Sequence, residues 1–159
     1  MKKAVIREMD INDLDEVLSI EVSSSPTPWS KNMFLEEMQN PFAYCFVMEM
    51  GEGPKQSVIG FICFRNVTDE SELLNICVHP AHRHLGVGKK LMEFYIDFSC
   101  RRGSKNFYLE VRSSNHPAIH LYQLFSYRSS GIRKKFYQDK VDALLMTKDA
   151  SVHSKRWTL

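Results

Sequence analysis

The chain reads as one α/β domain with a mixed, mostly antiparallel sheet flanked by helices on both faces. Three observations predict this. Short apolar runs of strand period alternate with amphipathic stretches of helical period. They come in the order β-α-α-β-β-β-α-β-α-β-β, a meander followed by strand–helix–strand units. The 159 residues, 43% hydrophobic and 25% charged, can bury one real core but not two large ones. The domain is expected over residues 1–149, with a loose polar tail over 150–159.

Each element has its own signal. KAVIRE (3–8) fits a short strand. Asp10 or Asn12 can cap an amphipathic helix over 12–23, with Leu14, Val17, Leu18 and Val22 on one stripe. The run SSSPTPW (23–29) breaks it. Ser30 caps a second helix over 31–39, which Asn40-Pro41 ends. Strands fit 42–50 and 57–65 around the hairpin signal GEGP, and a third fits 71–78. A helix over 87–102 stops at Gly103, FYLEVR (107–112) alternates as a strand, and Asn115 caps a helix reaching about 125. Two last strands fit 131–138 and 142–148.

Several classes are excluded early. No apolar run approaches the ~20 residues of a membrane span, and MKKAVIREMD has no apolar h-region, so neither a membrane partner nor a signal peptide is expected. Cys45, Cys63, Cys77 and Cys100 are widely spaced, with no C-x-x-C pair, and read as reduced thiols of a cytoplasmic protein. The net charge of +2 hides an asymmetry: residues 1–79 hold 6 Lys/Arg against 13 Asp/Glu, and residues 80–159 hold 15 against 6. The basic half could face a polyanion. No nucleic-acid motif accompanies it, so none is assigned as partner.

The most informative stretch is NICVHPAHRHLGVGKKLMEF (75–94). A strand leads into Arg83-x-x-Gly86-x-Gly88, which opens a helix followed at once by Lys89 and Lys90. Glycines let main-chain N–H groups approach a ligand, and the helix N-terminus adds free donors and partial positive charge. A pyrophosphate is the natural guest. Two glycines at a strand–helix corner are also common turn residues, and the pattern is neither a dinucleotide fingerprint nor a P-loop.

The run VHPAHRHLGVGKKL resembles the acetyl-CoA-binding signature of the GCN5-related N-acetyltransferases, with its Arg/Gln-x-x-Gly-x-Gly/Ala core. Residues 28–30 (PWS), 73–80, 109–122, 132–137 and 142–146 further resemble the RimI branch, which acetylates the N-terminal amine of a ribosomal protein. The likeness covers roughly residues 3–148, with the motifs in order. It implies acetyl-CoA as co-substrate, a protein N-terminus as partner, and direct transfer to the α-amine. Three departures stand out: His79 where the family has Asp, His82-Arg83 where it has aromatic-Gln, and Ser126-Tyr127 where it has Gly-Phe.

The chemistry needs few groups. An α-amine with a pKa near ~8 must lose a proton, and a positioned base removes it. On the residues alone Glu110 is a surface glutamate beside Arg112; the resemblance makes it the catalytic base. Tyr122 is otherwise a half-buried helix tyrosine; the resemblance makes it the acid that protonates the coenzyme thiolate. By the same likeness the cofactor is held by main-chain groups of Ile76, Cys77 and Val78, by Arg83, by the loop His84, Leu85, Gly86, Val87, Gly88 and Lys89, and by Asn115. Trp29 and Tyr137 wall the peptide slot, and Arg133, Lys134 and Lys135 stand between substrate contact and solvent. The acidic residues of the first two helices (Asp13, Asp15, Glu16, Glu21, Glu36, Glu37) could welcome a basic peptide. A Cys77 nucleophile lacks a convincing partner constellation. The histidines (79, 82, 84; 116, 120) are not joined by a carboxylate, so no metal is expected. The alternatives are an acetyltransferase for a small amine, such as a polyamine or antibiotic, and a non-catalytic acyl-CoA-binding module.

Overall fold

The computed structural model describes residues 3–151. The strands are β1 (Lys3–Glu8), β2 (Ala43–Gly51), β3 (Ser57–Val67), β4 (Glu70–Val78), β5 (Asn106–Arg112), β6 (Arg128–Arg133) and β7 (Ala143–Asp149). The helices are α1 (Leu14–Ser24), α2 (Lys31–Gln39), α3 (Val87–Arg101) and α4 (His116–Leu124). One sheet runs β1-β2-β3-β4-β5-β7-β6, and among the described residues its only parallel pair is β4–β5.

Alternation along the strands supplies two cores, one per face. On one face Leu14, Val17 and Ile20 of α1 and Phe34 of α2 pack on Val47, Val58, Phe61 and Cys63. On the other, Leu91, Met92, Tyr95 and Ile96 of α3 pack with Ile59, Ile62, Phe64, Phe107, Leu109 and Tyr122. The spacing i, i+1, i+4, i+5 in α3 is the helical stripe such packing requires. The Tyr95 hydroxyl, fully buried, is matched by Ser71 Oγ at 2.7 Å.

The predicted elements are present, with two revisions. Residues 11–13 form one 3₁₀ turn before α1, and Asp10 is its cap: Asp10 Oδ1 accepts from the Asn12 N–H at 2.8 Å, while Asp13 Oδ2 accepts from the Asp10 N–H at 2.7 Å. The strand expected over 131–138 is Arg128–Arg133 instead. Ser129, Ser130 and Gly131 suggest a break, yet an edge strand with a register shift between Ser129 and Gly131 tolerates them. The aromatics that suggested a longer strand lie in the loop beyond it: exposed Phe136 lies under the Arg133 guanidinium and Tyr137 under that of Arg112. Of the tail expected over 150–159, all but its first two residues lie outside the described residues.

Ser126 explains one departure from the family pattern. The Tyr127 N–H donates to Tyr122 O at 3.1 Å, and the Ser126 N–H to Gln123 O at 3.0 Å. This pair of bonds ends α4 in a Schellman turn, and Ser126 occupies its left-handed position with φ +69°. The Tyr122 and Tyr127 rings lie 5.9 Å apart as the apolar contact of that turn. A glycine fits this φ without a Cβ penalty. Ser126→Gly is therefore expected to stabilise the fold by about 1 kcal/mol, net of the extra freedom of the unfolded chain. That corresponds to a Tm higher by about 2–4 °C, readable by calorimetry; an unchanged or lower Tm contradicts the argument.

Candidate active site

The site arises where the parallel pair comes apart. β4 and β5 are hydrogen-bonded only over Glu70–Leu73 and Asn106–Leu109. Beyond Leu73 the register of β4 against β3 shifts, with Phe64 facing Leu73 and Cys63 facing Asn75, so Leu74 is an extra residue. Such a bulge bends its strand, and β4 diverges from β5. A cavity of about 970 Å³ lies at the C-terminal ends of the two strands.

Pairing parity tells which main-chain groups face the gap. The His79 N–H donates to Ile59 O at 2.8 Å. In an antiparallel ladder bonded and non-bonded pairs alternate. Phe61–Cys77 is then a bonded pair, whereas Ile62–Ile76 and Gly60–Val78 are not. Ile76 and Val78 thus turn their N–H and C=O toward the cleft, while Cys77 turns its own toward β3. The Arg83 Nε–H donates to Val78 O at 3.3 Å, consistent with that carbonyl pointing outward from the ladder.

The cleft has two sides. On the side of α3 and α4 lie His84, Gly86, Gly88, Lys89, Asn115 and Tyr122. Gly86 (φ +82°) and His84 (φ +63°) both adopt the left-handed conformation, curling the loop into the N-terminus of α3. No side chain caps that 15-residue helix, so its first N–H groups are free for an anion. Asn115 Oδ1 accepts from the Ala118 N–H at 3.3 Å, capping α4 at the cleft. Burial raises the Tyr122 phenol well above an ordinary tyrosine, so it stays protonated. His79 fills its departure from the family pattern: Nδ1 accepts from the Ala81 N–H at 3.0 Å, as an aspartate oxygen would. Arg83 donates to Ser24 Oγ at 2.8 Å, linking this loop to the end of α1.

On the side of α1 and α2 lie Glu110, Arg112, Cys77, Glu21, Trp29 and Tyr137. Glu110 is 29% exposed and pairs with Arg133 at 2.9 Å, rather than with Arg112 as its neighbour in sequence suggests. Burial, then the Glu110 charge, raises Glu72, which lies outside the cleft on the same sheet face. Arg112 grips Asp139 with Nη1 at 2.8 and 3.0 Å, donates to Thr27 Oγ1 at 2.5 Å and stacks on Tyr137 at 4.4 Å. It holds Asp139 below the usual carboxylate range and joins both walls of the slot. Burial pushes Tyr137 up. Trp29 packs tilted against Phe34, ring centroids 5.0 Å apart, and still lines the cleft, so it serves core and wall together.

Every residue singled out for the site lines this one cavity except Leu85, which is 68% exposed. Three polar residues lining the cleft take places that the sequence did not assign them; Glu21 was expected only to welcome a basic peptide. Glu21, 2% exposed, accepts from the Trp29 N–H at 2.8 Å and from the Cys77 thiol at 3.2 Å. Arg112 and Asn75 are the others. Glu21 and Arg112 carry no local signal for these places, because their partners are distant in sequence.

Burial and Glu21 push the Cys77 thiol far above its ordinary value, which disfavours the thiolate that a nucleophile needs. Of the acidic residues expected to welcome a peptide, four are engaged internally: Asp13 pairs with Arg7, Glu37 with Arg65, Glu16 accepts from the Val58 N–H, and Glu21 is bonded as above. Among the described residues no group of three His, Cys, Asp or Glu is placed to hold a metal, and no helix is long and apolar enough to cross a membrane.

Comparison with known proteins agrees with this geometry. Residues 14–127 match the model of the Acetyltransferase (GNAT) family. A Bacillus subtilis protein, provisionally named a ribosomal protein bS18-alanine N-acetyltransferase, is 36% identical over 146 residues, covering 91% of this chain and 94% of that one. The Escherichia coli K12 protein named ribosomal protein bS18-alanine N-acetyltransferase is 30% identical over 144 residues, covering 89% and 94%. A crystal structure of the E. coli ribosomal-protein-S18-alanine N-acetyltransferase superposes with a TM-score of 0.81 at 30% identity, over 93% of this chain and 94% of that one. Ard1 from Thermoplasma volcanium superposes with a TM-score of 0.82 at 25% identity, over 92% and 97%.

Proposed function

The chain belongs to the GNAT acetyltransferase family, and from that premise we propose that it acetylates the N-terminal α-amine of a protein, using acetyl-CoA. The substrate is a ribosomal protein beginning with alanine, as the names of its relatives suggest. The observation that carries this is the gap between β4 and β5, with Glu110 on one side and Tyr122 on the other.

The residues fit acetyl-CoA. The uncapped start of α3, the left-handed loop residues and Lys89 suit a pyrophosphate. The outward main-chain groups of Ile76 and Val78 suit an amide-bearing arm. Acetyl-CoA supplies an activated acetyl thioester. Glu110 takes the proton from the incoming α-amine, directly or through a water. A main-chain N–H of Ile76 or Val78 donates to the acyl oxygen as negative charge develops there. Tyr122 gives its phenolic proton to the leaving sulfur. Trp29, Tyr137 and the Arg112 clasp hold the peptide slot in shape. The catalytic domain spans residues 1–149 and works in the cytoplasm, where ribosomal proteins are made.

A thiol-release assay decides between acceptors. Peptides beginning Ala-Arg should be acetylated, whereas an Nα-blocked control and spermidine should not. Turnover of spermidine with none of a free N-terminal peptide would overturn this reading in favour of a small-amine acetyltransferase. No thiol release with any amine would favour a binding module.

A further inference from the structure

One polar group in the cleft has no part in the reaction above. Asn75 follows the bulge residue Leu74, and the bulge alters which side chains reach which face. Leu73, Ile76 and Val78 pack toward α3, whereas Leu74 and Cys77 pack toward α1 and α2. Asn75 joins the second set: its Oδ1 lies 3.6 Å from Cys77 Sγ. Asn75 lines the cavity, and its Nδ2 is buried with no hydrogen-bond partner among the described residues. A native fold rarely leaves a buried amide donor unmatched, and a ligand is one reason to do so.

The chemistry of the occupant follows from the neighbours. Glu21 does not serve Nδ2: its oxygens accept from the Trp29 N–H and the Cys77 thiol, and it makes no bond to Asn75. The attacking amine cannot serve it either, since a bond from Nδ2 would occupy the lone pair that must attack. A peptide carbonyl oxygen, one residue along from the amine, accepts such a bond and leaves the amine free. We propose that Asn75 is a specificity-determining residue whose Nδ2 donates to the carbonyl oxygen of the acceptor's first residue. The proposal rests on the reading of the chain as an α-amine acetyltransferase. It adds a reason for choosing peptides: an alkyl polyamine has no carbonyl at that position, and the buried donor would stay unmatched against it.

The test combines enzyme variants with an altered acceptor. Asn75→Leu and Asn75→Asp remove the donor at similar side-chain volume. Each should lower kcat/KM for an Ala-Arg peptide about tenfold or more, with KM for acetyl-CoA unchanged. The same peptide carrying a thioamide at its first carbonyl, a poorer acceptor, should be turned over several-fold more slowly by the native enzyme. It should be turned over no more slowly than the ordinary peptide by either variant. That coupling is a readout a merely structural role would not move. Equal thioamide penalties in native and variant enzymes, or native kcat/KM in both variants, overturn the proposal. The thioamide comparison in the native enzyme stands even if a variant does not fold; absence of any penalty there overturns the proposal by itself. Failure of the native enzyme on every free N-terminal peptide overturns instead the reading beneath it.

Discussion

Glu110→Gln is expected to lower kcat about 10²- to 10⁴-fold at neutral pH, with KM for acetyl-CoA and Tm nearly unchanged. Glutamine keeps the size and the hydrogen-bonding reach but cannot take up a proton at neutral pH. The ion pair lost is to Arg133, which is half-exposed and sits on an edge strand, so stability is little affected. The pH profile gives the sharper check. An α-amine with a pKa near ~8 is increasingly neutral in alkaline solution, so the deficit should shrink as pH rises toward about 9. A native rate at pH 7 would remove Glu110 as the base. A deficit that does not change with pH would point to positioning instead.

Tyr122→Phe is expected to lower kcat on the order of 10²-fold while leaving the affinity for acetyl-CoA unchanged. The ring is buried against Tyr127 in the turn that ends α4, and phenylalanine keeps that contact. The change therefore removes one proton donor and little packing. Because burial raises the native phenol, Tyr122 is not expected to produce the alkaline limb of the pH profile. A native kcat in this variant would show that the leaving sulfur takes its proton from elsewhere.

What was readable in advance follows from the range of the interactions. Ser30 accepting from Met33 and Asn115 accepting from Ala118 are local caps, and both were visible from residue type alone. The phosphate loop was readable for the same reason, since its glycine, basic residues and helix start are contiguous. The bulge at Leu74 was not. SELLNICV is apolar without punctuation, and its shift exists only against β3. The places of Glu21 and Arg112 come from afar: Glu21 meets Cys77 across 56 residues, and Arg112 meets Asp139 across 27 and Thr27 across 85. Glu110 and Arg112, side by side on one strand face, each take a different partner, because a cross-strand or loop group has better geometry for each. The basic cluster 133–135 is now divided. Arg133 belongs to Glu110 and Phe136, while Lys135 takes a left-handed turn conformation and its N–H donates to Asp142 Oδ1.

The opened seam between β4 and β5 has a thermodynamic side. An ordinary sheet interior ties adjacent strands along their full length, whereas this one leaves several main-chain donors and acceptors uncommitted at its centre. Whatever lies along those strands becomes part of the sheet's own bonding. Folding and co-substrate binding are then linked equilibria, and any ligand that prefers the folded chain stabilises it by mass action. At a concentration 100-fold above its Kd that linkage amounts to about 2.7 kcal/mol, a sizeable share of the 5–15 kcal/mol typical of a domain. The persistence of this protein in a cell is thereby coupled to the supply of its own acyl donor.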